Sequence, residues 1–367
     1  MGHLSAASAT AAALEEIDPA VHTRIEDSYE YAALVVSGVV SNGYLRMVKT
    51  IPQMYRYIYD RAERATEVGS VRAWAQAFTA ENLRPLMQRE RPDAVVCTHA
   101  FPCGAMAEYK RRYSDAPPVV AIVTDFAVHG FWIHHNVDRY VVSTEEMRRV
   151  LLARGVRAET ILATGIPTRP QFAWQPESQT ALRERLHLPQ DRAVALLMGG
   201  GLGIAPLERM IRELNAVRMP LAAVVIAGRN ARVERRLMQT AETVSYPVRA
   251  LRFVDNVYDY MHAADVLVTK PGGLSSAEAL VAGIPLILSK PLPGQEERNA
   301  RVLVNAGAAI AAEKPSELPQ AVETVLSSAP LRERMHQAAQ SLARPEAARA
   351  AAAMITQLIE DRRESVA

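Results

Sequence analysis

A chain of 367 residues is longer than one hydrophobic core usually organises and suits two domains of ordinary size. With 49% hydrophobic and 22% charged residues it is no disordered chain, and a net charge of +2 from 42 basic and 40 acidic residues supplies no basic field for nucleic acid. Cys97 and Cys103 are too few for a disulfide framework and lack a companion pair at zinc-ligand spacing, which predicts free thiols in a reducing cytosol.

Residues 1–13 are small and helix-forming, without the basic and apolar regions of a secretory signal, so a cytoplasmic protein is expected. Gly2 and His3 open this helical segment with no strand ahead of them. A doubly wound domain leads its first ligand-binding turn with a strand, so either the amino-terminal sheet lacks its first strand or the gene start is misplaced. Between Tyr44 and Arg64, tyrosines (Tyr44, Tyr55, Tyr57, Tyr59) and basic residues (Arg46, Lys49, Arg56, Arg61, Arg64) interleave around an apolar stripe. That mixture suits an anionic bilayer surface and equally an amphipathic helix packed on its own domain. No apolar run approaches the roughly 20 residues needed to cross a bilayer, so any membrane contact is expected to be peripheral.

Short β-branched runs then alternate with helical patterns: 93–98, 119–124, 139–142 and 160–163, followed by 193–198, 222–227, 248–254, 266–269 and 285–288. Parallel sheets flanked by helices are predicted, in two series divided by Gly165-Ile166-Pro167-Thr168-Arg169-Pro170, which cannot continue a helix. The expected domains are 1–166 and 167–340. A terminal helix over 338–363 gives the remaining segment, 341–367, which is expected to pack back toward the first domain.

Three segments carry chemistry. Thr269-Lys270-Pro271-Gly272-Gly273-Leu274-Ser275-Ser276-Ala277-Glu278 reads as a strand entering paired glycines and a helix beginning near Ser275. Its backbone N–H groups and helix dipole suit a phosphate, and Glu278, one turn in, suits ribose hydroxyls; a capped helix with a solvated first-turn glutamate has the same pattern. Gly199-Gly200-Gly201-Leu202-Gly203 after the strand 193–198 lets a ligand approach the main chain, or is a flexible turn. Lys290 to Ala300, directly after the strand 285–288, holds Gln295 and Glu296, an amide and a carboxylate able to read sugar hydroxyls or to begin a solvated helix.

In combination these segments, with Gly283-Ile284-Pro285 and Asn305-Ala306-Gly307-Ala308, resemble the donor-binding half of glycosyltransferase family 28, of the monogalactosyldiacylglycerol synthase type. The first half resembles the same lipid glycosyltransferases at Gly2-His3, 43–59, Thr98-His99-Ala100-Phe101-Pro102, Thr124-Asp125-Phe126, His129, Trp132, His134 and Thr164-Gly165-Ile166-Pro167. The resemblance implies a GT-B fold, two doubly wound Rossmann-like α/β domains facing across a cleft that holds the donor. It also implies inverting, metal-independent transfer of a hexose from a UDP-sugar to diacylglycerol or a related lipid, with no cofactor, at an anionic membrane surface on the inner face of the cell membrane.

Carried over by position, Gly272 and Gly273 with the Gly200, Gly201 and Gly203 loop would hold the diphosphate, Glu278 the ribose, and Gln295 and Glu296 the hexose. Leu274, Ser275 and Asn299 belong to the same UDP-sugar side, and Phe253 and Val254 would flank the uracil. His99, Trp132 and His134 would line the acceptor side, with Tyr44, Arg46, Lys49 and Arg56 at the membrane. His3 matches the histidine of an amino-terminal Gly-x-Gly-His loop and is the candidate general base, a task suited to an imidazole. Here the chain departs from the family, since Met1 stands where the residue between the two glycines belongs. Asp125 is the second candidate, as base, as a partner orienting His3, or as a turn cap. His129, His134 and His135 beside Asp125 lack both a His-x-x-x-His helix and a cysteine partner, so no metal is expected.

Three further readings share these motifs: N-acetylglucosamine transfer to a polyprenyl-linked cell-wall precursor, a nucleotide-sugar epimerase of the same fold, and a non-catalytic UDP-sugar-binding paralogue. Segments 43–59 and 124–134 favour diacylglycerol. The sugar stays open, although Glu296 would repel a glucuronate carboxylate and so favours a neutral hexose.

Overall fold

The computed structural model of the chain describes residues 2–31, 70–174, 177–200 and 206–366. They form two compact units, one of residues 3–168, 292–295 and 346–367, the other of residues 1–2, 169–291 and 296–345. The predicted membrane residues Tyr44, Arg46, Lys49 and Arg56, and Gly201 and Gly203 of the glycine loop, lie outside the described residues. No described helix is long and apolar enough to cross a membrane.

The amino-terminal unit opens with α1 (Gly2–Ile17) and α2 (Ser70–Glu90), followed by β1 (Val95–Cys97), α3 (Ala100–Arg112), β2 (Val119–Ile122), β3 (Arg139–Val141), α4 (Glu145–Ala153) and β4 (Ile161–Leu162). The four strands pair in parallel in chain order, and every strand residue alternates between two covered faces. Val119, Ala121, Tyr140 and Val142 pack with Leu83 and Leu86 of α2, Met106 of α3 and Leu151 of α4. Val120, Ile122 and Val141 point the other way, against Ala9 and Ala13 of α1. Cys97 and Cys103 are buried and form no disulfide.

The second unit runs α5 (Gln179–Arg185), β5 (Ala193–Met198), α6 (Leu207–Leu214), β6 (Leu221–Ile226), α7 (Ala231–Ala241), β7 (Val248–Leu251), α8 (Val257–Ala263), β8 (Val266–Thr269), α9 (Gly273–Ala282), β9 (Leu286–Ser289), α10 (Gln295–Asn305), β10 (Ala309–Ala312), α11 (Leu318–Ser327) and α12 (Ala329–Leu342). Its six parallel strands take the order β10-β9-β8-β5-β6-β7. The direction of winding reverses between β5 and β8, and a sheet so wound offers its ligand crevice at the carboxyl ends of the two strands flanking the reversal.

Two elements differ from the sequence-based expectation. β10 is a strand despite the sequence Ala-Ile-Ala-Ala, because pairing along β9 overrides its weak intrinsic preference. The expected single helix over 338–363 is instead the end of α12 and a separate α13 (Ala347–Val366), since Pro345 has no N–H to donate to the helical ladder and disfavours helical backbone at the residue before it. α13 belongs by its contacts to the amino-terminal unit, where Ala348, Ala351, Ala352 and Ile355 close the α1 face of the sheet.

Candidate active site

In the second unit, the carboxyl ends of β5 and β8 carry Gly199-Gly200 and the Pro271-Gly272-Gly273 turn. Thr269 at the end of β8 donates its hydroxyl to the Met198 carbonyl at the end of β5, 3.1 Å away, locking the two strand ends together. Gly200 has φ +71°, a conformation side chains avoid, and a Cβ there would come within 2.6 Å of Lys270 Cε. The glycine thus lets the backbone at position 200 lie directly on the Lys270 stem.

α9 begins at Gly273, two residues earlier than expected, with Gly272 at its N-cap and no side chain satisfying the first-turn N–H groups. Many helices satisfy these donors with a capping side chain, and a helix start without one at a ligand crevice has the donors and the dipole that suit an anion. The opposite end closes on Gly283 in the left-handed conformation, φ +69°. Leu274 is buried and Ser275 half-buried in the first turn.

The earlier start moves Glu278 into the second turn, and this corrects the picture of a first-turn glutamate. Its carboxyl is buried, and burial raises it to about 8, opposed only by the charge of Arg169. No described residue donates a hydrogen bond to it, so desolvation is uncompensated and the group is held neutral until a donor arrives. Arg169 is itself fixed, donating to the Asp255 carbonyl at 2.8 Å and lying over the rings of Phe172 and Tyr258.

Glu296 is half-buried and paired with Lys270, Nζ to Oε1 at 2.6 Å. Asn299 is fully buried and donates to the Pro271 carbonyl at 3.1 Å, bracing the turn ahead of Gly272. Phe253 and Val254 lie just past the end of β7, which stops at Leu251, and Phe253 is 43% exposed. Gln295 at the start of α10 clusters instead with the amino-terminal unit, where its Nε2 donates to the Ala127 carbonyl at 3.2 Å.

In the amino-terminal unit, the carboxyl ends of β1 and β2 hold His3. Its Nδ1 lies 2.9 Å from the Thr98 carbonyl and 2.8 Å from the Thr124 hydroxyl, and the Thr98 hydroxyl donates back to the His3 carbonyl at 2.9 Å. A carbonyl oxygen only accepts, so Nδ1 carries the proton and Nε2 carries the lone pair of the neutral ring. The ring of His99 meets that of His3 edge-on at 4.5 Å. Burial pushes His99 down to about 3, so it stays neutral, and its Nδ1 accepts from the Phe101 N–H to cap α3. The imidazole that meets His3 edge-on is therefore uncharged.

Asp125 is half-buried in the loop after β2. Trp132 is fully buried with its Nε1 unpartnered among the described residues, and the His134 N–H donates to the Tyr140 hydroxyl. Sequence reasoning missed Lys270, Thr98 and Thr124 as site residues; the one available signal was a basic residue placed between a strand and a Pro-Gly-Gly turn. Among the described residues no three His, Cys, Asp or Glu side chains gather as metal ligands.

Residues 3–168 match the monogalactosyldiacylglycerol synthase family, and residues 194–354 match the carboxy-terminal domain of glycosyltransferase family 28. The chain is 31% identical over 314 residues to a processive diacylglycerol beta-glucosyltransferase of Bacillus mycoides, covering 86% of this chain and 80% of that protein. Among solved structures it is similar to the UDP complex of Staphylococcus aureus MnaA, with a TM-score of 0.62 at 14% identity over 94% of this chain and 90% of that one. It is also similar to Anabaena Alr3699/HepE in complex with UDP-glucose, with a TM-score of 0.53 at 16% identity over 77% and 82% of the two chains.

Proposed function

The chain belongs to glycosyltransferase family 28, of the monogalactosyldiacylglycerol synthase type and with the GT-B fold, and from that premise we propose that it transfers a hexose from a UDP-sugar to diacylglycerol, inverting the anomeric centre without a metal. The observation that carries this reading is the open start of α9 at the winding reversal, with the neutral, unpartnered carboxyl of Glu278 behind it. One offers donors to a diphosphate, and the other waits for hydroxyl donors such as those of a ribose.

In this reading His3 Nε2 removes the proton from the lipid hydroxyl, whose oxygen bonds to C1 of the hexose as the bond from C1 to the diphosphate oxygen breaks. Negative charge accumulates on the departing UDP, where the α9 N–H groups and the Lys270 ammonium stabilise it. Lys270 is held ready by Glu296. Helix donors and an ammonium here take the part a divalent ion plays elsewhere.

UDP is therefore expected to raise the melting temperature by mass action in the presence of a chelator, and a shift that needs added magnesium or manganese would refute the donor assignment. The products of UDP-glucose, UDP-galactose and UDP-glucuronic acid with diacylglycerol vesicles, read by mass spectrometry, identify the sugar. A glycolipid from a neutral hexose is expected, and release of an epimerised nucleotide sugar without glycolipid would sink the transferase reading.

The acceptor is reached from the inner face of the membrane, a part of the proposal that rests on the sequence between Tyr44 and Arg64. Arg46, Lys49 and Arg56 contribute on the order of 1 kcal/mol each at an anionic surface, fading with salt. Changing all three to glutamine is expected to weaken binding to anionic vesicles about a hundredfold at low salt, with UDP affinity unchanged. Co-sedimentation equal to that of the parent would place membrane contact elsewhere.

A further inference from the structure

At the carboxyl ends of β6 and β7 the second unit presents a cation and an aromatic ring that no other part of its fold uses. Arg229 follows Gly228, whose φ of +74° turns the chain sharply out of β6. Its guanidinium lies over the ring of Phe253, 4.7 Å from the centroid. Both residues are exposed, Phe253 unusually so for its size. Arg252 is paired with Glu234 and Arg236 with Glu208, whereas Arg229, like Arg232 and Arg235, has no carboxylate among the described residues, and of these three it is the one set over an aromatic ring. Asn230 caps α7 with its own side chain, accepting from Arg232 and Val233 N–H, so the turn that holds Arg229 is built into the helix start.

An exposed phenylalanine forfeits burial, and a guanidinium stacked on it leaves its second face and the rim of N–H donors toward solvent. Such a pair suits a flat heterocycle with carbonyl acceptors at its edge. We infer that Arg229 is a specificity residue for the donor nucleotide, stacking with Phe253 to form one wall for the pyrimidine base and directing N–H donors at its carbonyl oxygens. The inference deepens the proposed function, since it rests on a UDP-sugar being the donor. Arg229 acts on the base and not on the phosphates, which belong to the start of α9.

Calorimetric titration of the full chain with UDP and with uridine tests it. Arg229→Ala is expected to weaken both ligands by the same factor, about tenfold, an amount in keeping with a partly desolvated stacked cation. Arg229→Lys is expected to recover less than half of the loss on a logarithmic scale, because a compact ammonium does not stack as a planar fork does. Equal UDP affinity in the parent and Arg229→Ala overturns the inference and leaves the donor assignment standing. A loss for UDP with none for uridine also overturns it, by making Arg229 a phosphate cation. A parent that binds no UDP removes the donor assignment and this inference with it.

Discussion

Replacing His3 by alanine is expected to lower kcat by about two to four powers of ten, the usual worth of a general base, while UDP binds as before. Nε2 is the ring nitrogen with the lone pair, because Nδ1 donates to the Thr98 carbonyl and Thr124 hydroxyl. Thr124→Val keeps the shape and removes the hydroxyl, and should lower kcat by a smaller factor with KM for the donor unaffected. Thr124→Ser should restore it. Steady-state kinetics on diacylglycerol vesicles read all three; a His3→Ala enzyme with parental kcat would pass the role of base to Asp125, whose replacement by asparagine is then the decisive comparison.

The second large effect is on the donor. Glu278→Ala should weaken UDP binding by on the order of 1.5 to 3 kcal/mol, the worth of hydrogen bonds to a charged group. The protonation state makes the prediction sharper. In the absence of ligand the carboxyl, raised to about 8 by burial, is mostly protonated at neutral pH. On the proposed ribose contact, hydroxyl donors would favour the anion and pull it back down, so UDP binding at pH 7 should release close to one proton, seen as a buffer-dependent binding enthalpy. Glu278→Gln should release none. The same group also sets a stability slope. The folded chain keeps a proton that the unfolded chain loses, so ligand-free stability falls as pH rises from about 4.5 to about 8, and the glutamine variant lacks that fall. A parent protein with no proton release would remove Glu278 from the ribose.

How much of this was legible follows from which interactions are local. The strands 193–198 and 266–269 were read to the residue, because continuous apolar runs bounded by turns have few alternatives. The glycines of the α9 start were legible for the same reason, as backbone geometry is written in consecutive residues. What stayed hidden depends on distance along the chain. His3 meets Thr98 and Thr124 across 95 and 121 positions, and Lys270 meets Glu296 across 26, and no periodicity announces such pairs. The burial of Glu278 was equally invisible, because a glutamate near a helix start is solvated in most chains, and only the packing of a helix covered on most sides shows otherwise. Pro345 could have been read, and was outweighed by the alanine-rich composition around it.

The return of α13 to the first unit bears on how the protein is made. Ribosomes deliver the chain in order, so the amino-terminal sheet emerges with the face formed by Val120, Ile122 and Val141 lacking the cover of α13, and stays so until residues 348–355 follow the whole of the second unit. The second unit has all its strands and α12 synthesised before then. The half that begins last therefore completes first, and the half that begins first spends much of translation with the part of this face that Ala348, Ala351, Ala352 and Ile355 later cover still exposed, the kind of surface that chaperones recognise and that aggregation exploits.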